Sequence, residues 1–286
     1  MSEQNYRYTM ETPVSEPPNT VVSLVPSITE SLFDLNLGDR LLAVTDYCVH
    51  PANGVAKLTR IGGTKTPNVQ QIIDLKPGMV FANQEENRRE DVEALQAAGI
   101  PVWVTFPKTV PDVFNLLWNI MYLFEETAMV ERVRHIERVY DHVTNAAKTY
   151  EANPKRVFAP IWYDPWMTFN ADTYVHDLLR ACGGYNVFAD HAHKHPLQAN
   201  ETPADRDIRY PRITLDEVVA AKPDVILLPS EPFAFGESHI ALLADLDIPA
   251  VQNNHIHLID GSYLTWHGTR IAYAFDTLPA LLIPTE

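Results

Sequence analysis

The sequence predicts an α/β protein of two lobes, each a parallel sheet with flanking helices, joined by one long backbone helix. Three observations predict it: an internal repeat, the order of apolar segments inside each copy, and one long amphipathic run between the copies. Residues 69–85 read V-Q-Q-I-I-D-L-K-P-G-M-V-F-A-N-Q-E, and residues 215–231 read L-D-E-V-V-A-A-K-P-D-V-I-L-L-P-S-E. They align without a gap, Lys76-Pro77 on Lys222-Pro223 and Glu85 on Glu231. A unit repeated about half a chain apart argues for two similar lobes, and two lobes make a cleft in which a ligand can sit.

Each copy has a readable order. Val69, Ile72, Ile73 and Leu75 recur at helical spacing, so a helix buries one face there. Proline disfavours helical geometry in the residue before it, so Lys76-Pro77 stops that helix. Met79 to Ala82 is an all-apolar run, as in a strand covered on both faces. Glu85 and Glu86 then open a polar helix that Gly99 ends, and Val102 to Thr105 is the next strand. The second copy repeats the order: a helix from Leu215, a strand from Val225 to Leu228, a helix from Glu237, and a further apolar stretch from Pro249. Helix and strand in alternation make each lobe Rossmann-like, and ligands of such sheets bind beyond the carboxyl ends of the strands. Residues 83–85 and 229–231 occupy that edge.

The remaining elements follow in chain order. Residues 1–20 form a polar tail. The first lobe spans 21–125. Val21 to Val25 is a strand, and Ser27 caps the helix after it with Glu30 as its capping-box partner. Leu41 to Val44 is the second strand, ending at Asp46-Tyr47. Arg60 to Lys65 is a turn-rich loop, and the apolar helix of 111–124 packs on this lobe. The connecting helix falls within 126–153. Val130, Val133, Ile136, Val139, Tyr140, Val143, Ala147 and Tyr150 form one stripe, and a helix from Thr127 to Ala152 would be nearly ~40 Å long at ~1.5 Å per residue. The second lobe, 154–286, opens with a strand from Arg156 to Ile161 and a helix from Thr173 to Ala181. An irregular stretch of 189–212 precedes the second copy. A strand from His255 to Ile259, a loop of 261–268 and a helix from Thr269 close the chain.

Composition bounds the function. A formal net charge of −15 argues against a nucleic-acid groove, which needs clustered Lys and Arg. The two cysteines, Cys48 and Cys182, read as small buried apolar residues, and there is no C-x-x-C clip. The first residues hold no apolar run of signal-peptide length, and no 18-residue apolar stretch occurs. The expectation is a cytoplasmic, monomeric protein.

Several residues at the strand ends can carry chemistry. Tyr47 follows a strand of the first lobe. Trp162, Tyr163 and Trp166 follow the first strand of the second lobe, and Tyr263 and Trp266 follow its last. Large rings at strand ends suit a bulky organic ligand through area and stacking, or else cap the core. His191, His193 and His195 alternate along a loop, the spacing by which imidazoles share a metal, or else form a solvated run. His255 and His257 alternate on a strand and read as one face of the sheet. Ser27 and Ser230 sit where a nucleophile would, but no G-x-S-x-G, P-loop or G-x-G-x-x-G is present.

The segments V-V-S-L-V-P-S-I-T-E-S-L-F-D-L, D-L-K-P-G-M-V-F-A, A-C-G-G-Y-N-V-F-A and K-P-D-V-I-L-L-P-S-E-P-F resemble the class III substrate-binding proteins. These are the vitamin B12- and iron-siderophore-binding components of ABC importers, also called helical-backbone metal receptors. The resemblance covers residues 20–280. It implies a non-enzymatic protein with a corrinoid, haem or other metal chelate as ligand and no intrinsic cofactor. Tyr47 matches a ligand-contacting tyrosine of the B12-binding members. Further aromatic positions fall on Lys65 and Asn83, and a tryptophan of the last loop falls near Tyr263. The glutamates that dock such proteins on the ABC permease fall on Gln70 and Thr265. The expected ligand set is therefore Tyr47, Lys65, Asn83, Trp162, Trp166, Glu231, Tyr263 and Trp266. The alternatives are a metal-ion receptor built on His191, His193 and His195, or an enzyme on the same scaffold.

Overall fold

The computed structural model describes residues 11–191 and 207–283. The chain divides into two compact units. The first comprises Met1–Pro107, Pro111–Glu137 and Trp266–Arg270; the second comprises Lys108–Val110, Arg138–Thr265 and Ile271–Glu286.

The first unit is built from β1 (Val21–Ser23), α1 (Pro26–Asp34), β2 (Leu41–Val44), α2 (Ala52–Val55), β3 (Thr59–Arg60), α3 (Val69–Leu75), β4 (Met79–Asn83), α4 (Arg89–Ala97), β5 (Val102–Thr105) and most of α5 (Val110–Leu123). Its sheet has the order β3-β2-β1-β4-β5, and every pairing is parallel. The strands are apolar runs because both faces are covered. Val22, Val80, Ala82, Val102 and Val104 meet Ile72, Val92 and Leu95 of the flanking helices in one cluster.

The helix α6 (Val130–Lys148) is divided between the units at Glu137 and Arg138. The second unit continues with β6 (Lys155–Phe158), α7 (Tyr174–Ala181), β7 (Gly184–Asn186), α8 (Leu215–Ala221), β8 (Val225–Pro229), α9 (Glu237–Leu243), α10 (Pro249–Gln252), β9 (Ile256–Ile259), α11 (Ser262–Thr265) and α12 (Ile271–Leu282). Its sheet runs β7-β6-β8-β9, again all parallel. Phe158, Ile226 and Leu228 pack with Val218, Leu243 and Ile248 at its core.

The repeat folds as a repeat. Asn68 caps α3 by accepting from Gln71 N, and Thr214 caps α8 in a full capping box with Glu217. Both helices end on a left-handed lysine, Lys76 at φ 47° and Lys222 at φ 46°. Beyond each central strand the chain is tied to its neighbour in the same way: Gln84 N donates to Thr105 O, and Ser230 N donates to Ile259 O, each at 3.0 Å.

Three expectations are corrected. Helix α1 starts at Pro26, with Val25 at the N-cap and no side-chain cap. Proline's fixed φ suits the first helical turn, so Ser27 and Glu30 lie inside the helix and are released for other contacts. Helix α4 starts at Arg89, because Asn83 Oδ1 and Asn87 Oδ1 hold residues 83–87 in a turn. Helix α6 has 19 residues, about 28 Å at ~1.5 Å each; its end tightens into i→i−3 bonds from Thr149 to Ala146 and from Tyr150 to Ala147. The apolar stretch from Pro249 opens with the short helix α10.

Candidate functional site

In the second unit the ends of β6 and β8 carry an aromatic platform. After β6 the chain doubles back: Met167 N donates to Trp162 O and Ile161 N to Met167 O. After β8, Phe235 N donates to Pro229 O, which folds residues 230–235 over the strand end. The two loops bring their rings together. Trp162 meets Phe233 at 5.5 Å, Tyr163 meets Trp166 at 5.2 Å, and Trp166 lies parallel to Phe235 at 5.8 Å. His239 stands edge-on to Tyr163, Phe233 and Phe235. Its Nδ1 accepts from Gly236 N at 3.1 Å, so the neutral ring carries its proton on Nε2.

The platform has a wet side and a dry side. Trp162 is 44% exposed, with its indole available to a ligand. Trp166 packs against the core cluster and supports the rings above it. Phe233, Phe235 and His239 escaped the sequence reading. Their signal is the P-F-A-F that directly follows the second copy of the repeat.

Glu231 borders this platform. Its Oε1 accepts from the Thr265 hydroxyl at 3.1 Å. Gly261 lies against it so tightly that an added Cβ would sit 2.5 Å from Glu231 N and O. Only glycine allows the loop after β9 to approach the end of β8 so closely. Tyr263 stacks on Tyr273 at 6.0 Å.

In the first unit, Tyr47 is 62% exposed after β2, its ring resting against Gly63. Lys65 is exposed, and its ammonium donates to the carbonyl of Glu85. Trp266 falls here and not with the second-lobe aromatics expected for it. Its ring meets His50 at 5.8 Å, and the Arg270 guanidinium lies 5.2 Å over it.

Trp266 is held in place by the residues that follow it. Arg270 pairs with Glu30 at 2.8 Å, both side chains largely buried. Burial raises the Glu30 pKa, against the opposing pull of Arg270. Thr269 N donates to Ser31 Oγ at 3.0 Å, and its hydroxyl donates to Asp34 at 2.7 Å. Gly268, at φ 86°, lies where a Cβ would be 2.2 Å from Ser31 Oγ.

His267 is the buried centre of this segment. Its Nδ1 is 3.2 Å from Ser27 Oγ, and its Nε2 is 3.2 Å from Asn83 Nδ2. Asn83 Oδ1 already accepts from Glu85 N, so Asn83 Nδ2 is the donor and Nε2 the acceptor. Nδ1 therefore carries the proton and donates to Ser27 Oγ. Burial lowers the His267 pKa to about 4.

Two expectations change with this network. Asn83 is 2% exposed and spends its amide on Thr105, Glu85 and His267; it belongs to the frame of the site rather than to a ligand surface. Ser27 and His267 are a serine and a histidine within hydrogen-bond reach, which an enzyme would need. The proton runs the wrong way for it, since Nδ1–H donates to the hydroxyl and cannot accept from it.

His191 Nε2 faces Glu217 Oε1 at 3.1 Å, while His193 and His195 lie outside the described residues. Among the described residues no group of three or more His, Cys, Asp or Glu is placed to hold a metal. Ser230 Oγ accepts from Gly261 N at 3.0 Å. A cavity of about 540 Å³ opens in the first unit among Val14, Pro17, Trp118, Met121, Tyr122 and Val130; none of these residues ends a strand.

The sequence profile of the periplasmic binding protein family matches residues 21–263. A vitamin B12-binding protein of Vibrio cholerae is 25% identical over 249 residues, 87% of this chain and 83% of that protein. One of Yersinia pestis is 26% identical over 235 residues, 82% of this chain and 78% of its own length. Among solved structures, the periplasmic vitamin B12-binding protein of Vibrio cholerae superposes with a TM-score of 0.72 at 24% identity, covering 93% of this chain and 96% of the other. A periplasmic heme-binding protein of Roseiflexus sp. RS-1 does so with a TM-score of 0.70 at 22% identity, covering 92% and 97%.

Proposed function

The chain belongs to the periplasmic binding protein family, and from that premise we propose that it binds a cobalamin-like or other metal-chelate molecule, such as a haem or siderophore, as the binding component of an ABC importer. The aromatic platform carries this reading. Trp162, Tyr163 and Phe233 gather at the carboxyl ends of β6 and β8, where ligands of parallel sheets bind. Each such ring offers about 150–250 Å² of apolar surface, which suits a broad, flat macrocycle better than a bare ion. Glu231 and Tyr263 are the further proposed ligand residues of this unit, and Tyr47, Lys65 and Trp266 are those proposed on the first unit.

The family consists of non-enzymatic ligand carriers, in keeping with the reversed proton between His267 and Ser27. Its members work with ABC permeases. At the positions of the docking glutamates, Gln70 donates to Asp74 Oδ1 at 2.8 Å and Thr265 to Glu231 Oε1 at 3.1 Å. Negative charge thus stands beside both, and we place permease docking there. The family's description is periplasmic, so the cytoplasmic expectation finds no support. Among the described residues no helix is long and apolar enough to cross a membrane.

Equilibrium titration with cobalamin, haem and ferric siderophores tests the ligand class. Saturable binding of one of them, weakened by Trp162→Ala, is expected. A folded protein that binds none overturns it. The metal-ion reading built on His191 is separated by metal analysis of the purified chain, where stoichiometric zinc, iron or manganese would favour it.

A further inference from the structure

Among the described residues the strand β9 is one edge of the second unit's sheet, and its register pairs His257 with Leu227. His255 and His257 stand two residues apart, so their side chains leave the same face. Their rings are nearly parallel, 24° between planes, with centroids 6.1 Å apart. Both are half-buried.

The ring nitrogens are set for a further partner. His255 Nδ1 lies 3.3 Å from the carbonyl oxygen of Asp224, so Nδ1 carries the proton and donates. That leaves the lone pair on Nε2. Holding one imidazole N–H on a backbone carbonyl is how proteins fix the tautomer of a metal-binding histidine. Among the described residues, neither ring nitrogen of His257 has a hydrogen-bond partner.

The geometry points to a two-histidine chelate site for a divalent transition metal, copper, nickel or zinc, on His255 and His257 at the edge of this sheet. A metal–nitrogen bond of about 2.0–2.1 Å puts the metal about 3 Å from each ring centre, and the two centres about 5 Å apart at a tetrahedral angle. The observed centroids need to close by ~1 Å, and the near-parallel rings need to turn until both ring planes pass through the metal, by rotation about χ1 and χ2. Imidazole donors favour Cu²⁺, Ni²⁺ and Zn²⁺ over hard cations, with Cu²⁺ the tightest of the series. The remaining coordination positions go to water, because two protein donors leave them open. This site is separate from the aromatic platform and does not depend on the nature of the ligand bound there.

The test uses the untagged full chain carrying His193→Ala and His195→Ala, so that these two histidines do not compete. Cu²⁺, Ni²⁺, Zn²⁺ and Mg²⁺ are titrated by calorimetry, and diethyl pyrocarbonate modification of each histidine is followed by peptide mass spectrometry. Expected are binding in the order Cu²⁺ above Ni²⁺ and Zn²⁺ with none for Mg²⁺, and an affinity at least ten times weaker in His257→Ala or His255→Ala. Cu²⁺ should also slow modification of His255 and His257 while leaving His239 unchanged. His257→Gln repeats the measurement with a side chain that keeps size and polarity, in case alanine unsettles the strand. Unchanged Cu²⁺ affinity when His255→Ala and His257→Ala are both added to this chain, or unprotected His255 and His257 at saturating Cu²⁺, overturns the proposal.

Discussion

Replacing His267 with leucine, which has nearly the same volume, removes both hydrogen bonds at once. Ser27 and Asn83, each 2% exposed, keep their polar groups in a site closed to water. One buried polar group left without a partner costs ~1–3 kcal/mol, so the pair costs about 2–6 kcal/mol at pH 7.5. The pH dependence gives the sharper signature. The folded-state pKa of His267 is about 4 against an ordinary 6.5. The unfolded chain thus binds the proton first, and stability from this group is fully present above pH 6.5 and is lost as pH falls toward 4. At pH 5 the loss is about 2 kcal/mol, out of a total near ~3 kcal/mol. The leucine variant lacks this term, so its deficit relative to the native protein shrinks by about 2 kcal/mol between pH 7.5 and pH 5. Glu30 titrates in both proteins and cancels in the difference. Native-state hydrogen exchange of the α1 amides in urea reads the free energy of this unit alone. A deficit that is the same at both pH values would refute the assignment of His267 as a buried neutral histidine.

Arg270→Met strands the Glu30 carboxylate, whose Oε2 already lacks a partner, and should cost ~3–5 kcal/mol in thermal unfolding; Glu30→Gln in the same chain should recover part of it. Trp162→Ala should weaken chelate binding about tenfold or more, ~1.4 kcal/mol, while its exposure keeps the melting temperature within ~2 °C; titration and calorimetry on the same sample separate the two. Gly261→Ala drives a methyl into the Glu231 backbone and should cost ~1–3 kcal/mol, with ligand affinity falling alongside; unchanged binding would detach Glu231 from the site. Cys48 and Cys182 are both fully buried, and burial raises both thiol pKa values. A thiol reagent should label neither in the native protein and both after denaturation.

How far the sequence reaches depends on how local each cause is. Val69, Ile72 and Leu75 mark α3 by spacing alone, and the Lys-Pro pairs mark where α3 and α8 stop. Those signals act within a few residues, and the helices end there on left-handed lysines. Trp162, Trp166 and Tyr263 are legible as strand-end aromatics for the same reason. The start of α1 is hidden in the sequence because Ser27 with Glu30 mimics a capping box. Proline at position 26 moves the start, and both side chains then bond to residues about 240 positions away. The place of Asn83 is not legible locally, because its amide bonds to Thr105 and His267, partners that no local pattern reveals. Phe233 and Phe235 were visible as residues, but their role depends on two loops folding toward each other.

The duplicated α/β grammar was determined by the sequence itself, because periodicity, proline stops and apolar strands act over one or two turns of chain. Tertiary structure alone decided where the segment Trp266–Arg270 packs. It follows an aromatic loop of the second unit, yet it joins the first, held by polar bonds to Ser27, Ser31, Asp34 and Glu30. Five residues fastened by hydrogen bonds and one ion pair carry no hydrophobic period. Their address is written in partners distant in sequence and becomes visible only when the chain is folded.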